Sequence, residues 1–373
     1  MPPEILDLSQ EPGPLCLVGR GLAGAPPGFA ELPALLVEKG RVRALGQAAL
    51  AAGAPRWELP DLWLCPAPLD AHVHLCMRGS PEENLAASWR AGLAAVRDLG
   101  QKPTQPTPGQ ETRPPLVQAS GPGLCAPGDG FCWLAHALRG PEAFARATRE
   151  RAQAGVAVIK VFLTGLLDFD HPGQVLAPLA VSAPELAAVC QEARRWGLPV
   201  AVHASGIPAA RVAAQCGVTS LEHGFFLDRP TLALLAQAGV SWVPTAATIR
   251  GLWEDAARFT PPQLDNLTRI IESQLLALGL AREEGVNLVL GSDAGAVNLP
   301  HDRALFREMA MWQEAGLPGE EIFAAATGRA ADLLGLAGVV GELALEARAW
   351  LLGVPEDPQV NPLGLASPAW RSF

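Results

Sequence analysis

An α/β fold is predicted for this chain: a (β/α)8 TIM-like barrel with a small β-sandwich domain formed by both chain ends. Three observations predict it. Apolar runs of strand length alternate with longer helix-patterned segments, the signature of repeated β-α units and a parallel sheet. Eight such units over about 270 residues match the size of a (β/α)8 barrel. The two ends of the 373-residue chain lack that alternation and read as short strands broken by Gly and Pro.

The division that follows is residues 1–62 plus 338–373 for the sandwich and 63–337 for the barrel. In the first part, a turn is expected at Glu38-Lys39-Gly40. Barrel strands are expected at Trp63–Cys65, Ala94–Arg97, Leu116–Ala119, Ala157–Phe162, Val200–Val202, Ser220–Glu222, Ser241–Val243 and Leu288–Gly291. Amphipathic helices are expected over Pro184–Trp196, Arg229–Gln237 and Leu264–Glu284. Ser182 with Glu185 reads as the start of the first of these, and Gly197 as its stop. The Pro-rich stretch Lys102–Pro115 reads as a loop between two strands, and the tail from about Gly338 becomes strand-like again.

Hydrophobic residues make up 49% of the chain, ample for a large core. The formal charge of −10, with no basic stripe, argues against nucleic acid or an anionic membrane as partner. No basic region followed by an apolar run opens the chain, and no stretch is long and apolar enough to span a bilayer. The seven cysteines are scattered without a CxxC pair and read as mostly buried thiols, so a reducing, cytoplasmic location is expected. Tyr is absent, and only three of the 28 Lys and Arg residues are lysines: Lys39, Lys102 and Lys160. A lysine kept in a chain that otherwise uses Arg invites a chemical reason.

His72 and His74 follow an apolar run and Asp70. Side chains at i and i+2 of a strand point the same way, so two imidazoles at this spacing can grip one ion. Alone the pair is weak evidence. Its company strengthens it: His203 closes the run Leu198–Val202, His223 closes Thr219–Glu222, and Asp293 closes Leu288–Ser292. Lys160 sits between Val156–Ile159 and Val161-Phe162. Taken singly, a strand-end His is more often a satisfied polar residue, Asp293 an N-cap and Lys160 an ion-pair partner. In a barrel, however, the C-terminal ends of all strands meet at one face, where these six would converge.

At this point the chain resembles the amidohydrolase superfamily, over nearly its whole length. The matching segments are CPAPLDAHVHL, GLAAVRDLG, AGVAVIKVFLTG, LPVAVHASG, GVTSLEHGFFLD, SWVPT, NLVLGSDAG and FAAATGRAADLLGL. The run from VAVHASG to SWVPT is most similar to the prolidase-like and dipeptidase-like members, within a branch that also holds imidazolonepropionase-like hydrolases. The resemblance implies two divalent ions, expected to be zinc. His72, His74 and Asp293 would hold one, His203 and His223 the other, with N-carboxylated Lys160 and a hydroxide bridging them. Such a carbamate forms on a neutral amine, which Arg cannot supply. Asp293 is implied as the general base and then acid.

The implied activity is hydrolysis of a C–N bond in an amide, dipeptide-like or cyclic amide small molecule, by a chain that is expected to form a homo-oligomer. The alternatives are a lactone or ester hydrolase, a deaminase, or a catalytically silent binding scaffold on the same fold. Lys160 argues against a deaminase, and the complete set of six residues against a silent relative. Two departures count against a peptidase substrate: the segment Ala126–Phe131 lacks the Gly-Gly-His that prolidase-like members often carry there, and no Tyr exists to bind substrate. His301 could line the pocket mouth and Arg78 or Arg250 could pair a substrate carboxylate, but each is more often an ordinary loop residue. No pocket role is expected of His136 and His171, Asp98 is read as structural, and Cys125 with Cys132 is read as no metal site.

Overall fold

The computed structural model describes residues 4–5, 7–26, 32–102, 114–128, 130–171 and 173–373. Most of the Pro-rich stretch 102–115 therefore lies outside the described residues, as does Asp129.

Three sheets organise the chain. A three-stranded parallel sheet runs Leu69–Val73, Ala95–Asp98, Leu116–Ala119. A six-stranded parallel sheet contains Ile159–Phe162, Val200–Ala204, Ser220–His223 and Ser241–Val243 in that order. Backbone contacts join the edges of the two. Ala157 N–H donates to the Ala119 carbonyl at 2.9 Å. At the other edge, the segment from Leu288 to Ala294 bridges Trp242 on one side and Val73 on the other, both in parallel sense. Asp293 N–H donates to the His72 carbonyl and His74 N–H to the Ala294 carbonyl, at 2.8 and 2.9 Å. These links bring the ends of the first and last parallel segments side by side.

The third sheet is mixed and seven-stranded, with strands from both ends of the chain: Glu4–Ile5, Trp370–Arg371, Leu351–Val354, Arg56–Pro66, Leu15–Leu22, Ala34–Glu38 and Arg41–Leu45 in spatial order. The hairpin between its last two strands turns through Lys39 and Gly40, both at positive φ, as a tight two-residue turn requires. Here the structure corrects one expectation. Trp63–Cys65 is not the first parallel strand but the end of Arg56–Pro66, paired antiparallel with Leu351–Val354. The first parallel strand is Leu69–Val73. Pro66 and Pro68 bracket the switch between the sheets: Pro lacks the N–H that an uninterrupted ladder would need.

The helices follow their sequence signals closely. Ala183–Arg195 starts at Ser182, whose side chain and that of Glu185 form a reciprocal capping box, and the chain leaves it through Gly197 at φ 66°. Arg229–Ala238 is capped by the Asp228 carboxylate. Pro261–Glu283 extends one turn earlier than its apolar pattern, because Thr260 and Gln263 supply the cap. The main core is built from the parallel strands and the inner faces of these helices. A second core of Leu17, Leu35, Val37, Leu64 and Trp370 lies on the mixed sheet. No described helix is long and apolar enough to cross a membrane.

Candidate metal centre and active site

Four of the six candidate residues stand at or next to the C-terminal ends of parallel strands, Lys160 lies within Ile159–Phe162 and Asp293 on the last parallel segment, and all six are buried. The rings form a chain of contacts: His74 to His72 at 5.3 Å between centroids, His72 to His223 at 5.0 Å, and His223 to His203 at 4.5 Å. His72 and His74 share a side, as their i, i+2 spacing requires. Asp293 reaches them from the last parallel segment, its Oδ1 lying 3.2 Å from His74 Nε2 and 3.5 Å from His72 Nε2. His223 and Asp293 both have positive φ, 68° and 57°, an unusual backbone for non-glycine residues that aims each side chain inward.

The hydrogen bonds on the outer side of each ring decide what the inner side offers. His72 Nδ1–H donates to the Glu222 carboxylate at 2.8 Å, which leaves Nε2 as a bare lone pair. His74 Nδ1 lies 3.3 Å from the Gly100 carbonyl, an acceptor, so its Nε2 is also a lone pair. His203 Nε2 faces the Gly165 carbonyl at 3.4 Å and His223 Nδ1 pairs with Thr245 Oγ1 at 2.7 Å. Ligand atoms of His72, His74 and Asp293 all lie within 4.8 Å of one another. Two imidazole lone pairs and a carboxylate oxygen without a proton among them are a repulsive set unless a cation sits between them. His72 Nε2, Asp293 Oδ1 and Lys160 Nζ are in fact buried atoms without a hydrogen-bond partner. The donor set is therefore one that fits a divalent ion of the Zn²⁺ kind.

The electrostatics point the same way. Burial first, then the Lys160 charge, pushes His72 down to about 4 and His203 down to about 3; His223 falls well below its usual range through burial and the neighbouring histidines. All three are neutral at physiological pH, the form that binds metal. Burial would raise the Asp293 carboxyl, but the neighbouring His74 and His72 imidazoles and the Lys160 amine hold it below its usual value. Burial lowers Lys160 to about 8, against the opposing pull of Glu222 and Asp293.

Sequence reasoning did not single out the support behind these residues. Glu222 is fully buried and accepts from His72, from Arg97 at 2.9 Å and from Ser220 Oγ at 2.5 Å. Burial opposes its ionisation, yet Arg97 and the His72 hydrogen bond outweigh it and hold it at about 2. Asp70 accepts from the backbone N–H groups of His72 and Ser292 and from Ser292 Oγ, tying the first parallel strand to the last segment. A carboxylate inside an apolar strand was the available signal for Glu222, since such a group stays buried only with partners. Phe131 carried no signal: its ring stacks on Phe162 at 4.6 Å and sits 4.5 Å from His203.

The remaining candidates separate. His301 is buried, and its ring lines a 430 Å³ cavity together with Arg78, Gly79 and Gly295, next to the Asp293 loop. Arg250 instead pairs with Glu314, at 2.8 Å. His136 is exposed, and exposed His171 pairs with Asp168. Asp98 is buried and accepts from the Leu75 N–H at 3.3 Å, in line with a structural role.

Comparison with known proteins agrees with this arrangement. The chain is 28% identical over 317 residues to an uncharacterised protein of Mycobacterium tuberculosis, covering 82% of each. It is 29% identical over 157 residues to the ochratoxinase of Aspergillus niger, covering 41% of this chain and 32% of that one. The crystal structure of a Xaa-Pro dipeptidase with bound methionine superposes with a TM-score of 0.77 at 20% identity, covering 95% of this chain and 97% of that one. The model of the Amidohydrolase family matches residues 63–368. With most of its length under that match and a buried His-His-Asp cluster at its centre, the chain belongs to the amidohydrolase family and is a metal-dependent hydrolase acting on carbon–nitrogen bonds.

Proposed function

We propose that this protein hydrolyses the C–N bond of an amide, dipeptide-like or cyclic amide substrate at a two-metal site. The observation that carries the reading is the convergence of two imidazole lone pairs and a carboxylate oxygen, all buried, on one point. In this reading His72, His74 and Asp293 hold one ion, and His203 and His223 the second. N-carboxylated Lys160 would supply a further oxygen donor to them. The ions, taken to be Zn²⁺, would bring a bound water's pKa toward ~7 and polarise the scissile carbonyl.

The chain's own residues do the rest. Glu222 fixes the tautomer and direction of His72, and Thr245 orients His223. Thr248 Oγ1 donates to Asp293 Oδ2 at 3.3 Å, holding that carboxylate in place. Asp293 takes a proton at its carboxylate during attack and delivers it to the leaving nitrogen. Burial of Lys160 favours the neutral amine from which a carbamate forms. Phe131 and Phe162 form an apolar wall on the His203 side, which suits an apolar group beside the scissile bond. The Xaa-Pro dipeptidase and ochratoxinase likenesses support an amide substrate.

The test is metal analysis combined with a hydrolysis screen of dipeptides, N-acyl amino acids, hydantoins and lactones. The expected result is up to two divalent ions per chain and turnover of an amide. Lys160→Ala should lose metal and activity together. A fully metallated, active Lys160→Ala protein would overturn the two-metal carbamate reading, and turnover of lactones alone would overturn the C–N assignment of substrate.

A further inference from the structure

Cys125 ends the short strand Gly123–Cys125, which lies between Ala135–Ala137 and Ile159–Phe162 in the six-stranded sheet. Cys132 lies seven residues further on, directly after Phe131. Their sulfur atoms are 3.0 Å apart. That is about 1 Å longer than a disulfide bond and shorter than ordinary sulfur–sulfur contact, so bonding requires only a small shift. Cys125 is buried, and Cys132 is partly exposed, so one of the pair can meet a soluble oxidant. The pair packs in a small apolar cluster with Cys76, Phe131, Leu134 and Phe162. Phe131, directly before Cys132, is the ring that stacks on Phe162 and lies against His203.

We propose that Cys125 and Cys132 form a reversible disulfide that pins Phe131, directly before Cys132, and with it the apolar wall beside His203. With a hydroperoxide as oxidant, the Cys132 sulfur attacks the peroxide as its thiolate, the O–O bond breaks, Cys132 becomes a sulfenic acid, and the departing hydroxide (or alkoxide) takes up the proton the thiol released and leaves as water (or alcohol). Cys125 then attacks the Cys132 sulfur; the S–S bond forms, and the hydroxyl departs as water with the Cys125 proton. The two thiols are oxidised by two electrons in total, and the peroxide is reduced. A dithiol reductant reverses the step.

The full-length protein, treated with hydrogen peroxide, unfolded and then alkylated, tests it by mass spectrometry. Two of the seven thiols should escape alkylation, a peptide map should join Cys125 to Cys132, and dithiothreitol should restore both. Cys132→Ser, a change at the more exposed position, should abolish the link without loss of folding, and Cys125→Ser gives an independent second variant. Amide hydrogen exchange at Phe131 and Cys132 should slow by roughly tenfold on oxidation in the wild type, and exchange at Phe131 should not slow in Cys132→Ser. The proposal fails if all seven thiols remain reactive, if the link joins other cysteines, or if the link forms and exchange at Phe131 is unchanged.

Discussion

The Nδ1 atom of His72 lies 2.8 Å from a carboxylate oxygen of Glu222, a residue on a different strand 150 positions away. The same carboxylate accepts from the Arg97 guanidinium at 2.9 Å. Three parallel strands thus meet through one buried ionic network, and its output is the direction of a single imidazole lone pair.

Glu222→Gln tests that output. The amide can still meet His72 but no longer carries the charge that raises the ring's basicity and balances Arg97. Metal affinity should fall by roughly 10–100-fold, the usual cost of removing an outer partner of a ligating histidine. A competitive Zn²⁺ titration measures it. Unchanged affinity would mean that His72 is oriented without Glu222.

Gly291 provides a steric test of the same ligand. A Cβ at this position would stand 2.9 Å from both the backbone N and the Cβ of His72, and 2.5 Å from Val243 Cγ1. None of these is the far end of a flexible side chain. Gly291→Ala should therefore cost about 1–3 kcal/mol of stability, as overpacking of a tight core does, and displace His72 from the ligand cluster. Urea unfolding and metal content after dialysis should both report the change.

Glu308 sets a pH dependence away from the metal ligands. It is fully buried, accepts the Ala246 and Ala247 N–H groups and the Trp312 indole, and is raised by burial, against these bonds, from its ordinary 4.5 to about 7. Between those values the folded chain binds more protons than the unfolded one, so this contribution to stability is complete below 4.5 and lost as pH rises through 7. At ~1.4 kcal/mol per unit, that is about 3 kcal/mol over the window. Glu308→Gln does not titrate, so its unfolding free energy should lack this decline between pH 4.5 and 7.5. Below pH 4.5 it should lie about 1–3 kcal/mol under the wild type, because the new amide N–H₂ faces a backbone donor, and the two curves should converge as the wild type declines. Parallel pH profiles of the two proteins would show no convergence if Glu308 remained ionised across the range.

What the sequence disclosed and what it hid follow from how each interaction is encoded. The alternation of apolar runs and the capping signals at Ser182-Glu185 and Asp228 are local, and local patterns survive reading along the chain. His72 and His74 are also local, a two-residue period on one strand. Trp63–Cys65 was assigned to the wrong sheet because an apolar triplet fits either one. What places it with Leu351–Val354 is a partner almost 300 residues away. Thr245 and Phe131 are unreadable for the same reason, and Glu222 shows only a carboxylate in an apolar run: each acts through a contact made only after the strands have been laid side by side.

Arg250 separates substrate recognition from surface pairing. It follows the strand Ser241–Val243, close enough in sequence to suggest a clamp on a substrate carboxylate. In the structure its guanidinium NH2 donates to both carboxylate oxygens of Glu314, at 2.8 and 2.9 Å, and Glu314 is half exposed. An exposed pair of this kind contributes about 0–1 kcal/mol. Arg250→Ala should therefore leave kcat/KM for any substrate found in the hydrolysis screen within about twofold, since a direct charge-assisted contact to substrate is worth ~1.5–3 kcal/mol, or tenfold and more. The thermal midpoint should shift by no more than a few degrees. A selective rise in KM for carboxylate-bearing substrates, with neutral ones unaffected, would show that Arg250 leaves Glu314 to bind the substrate.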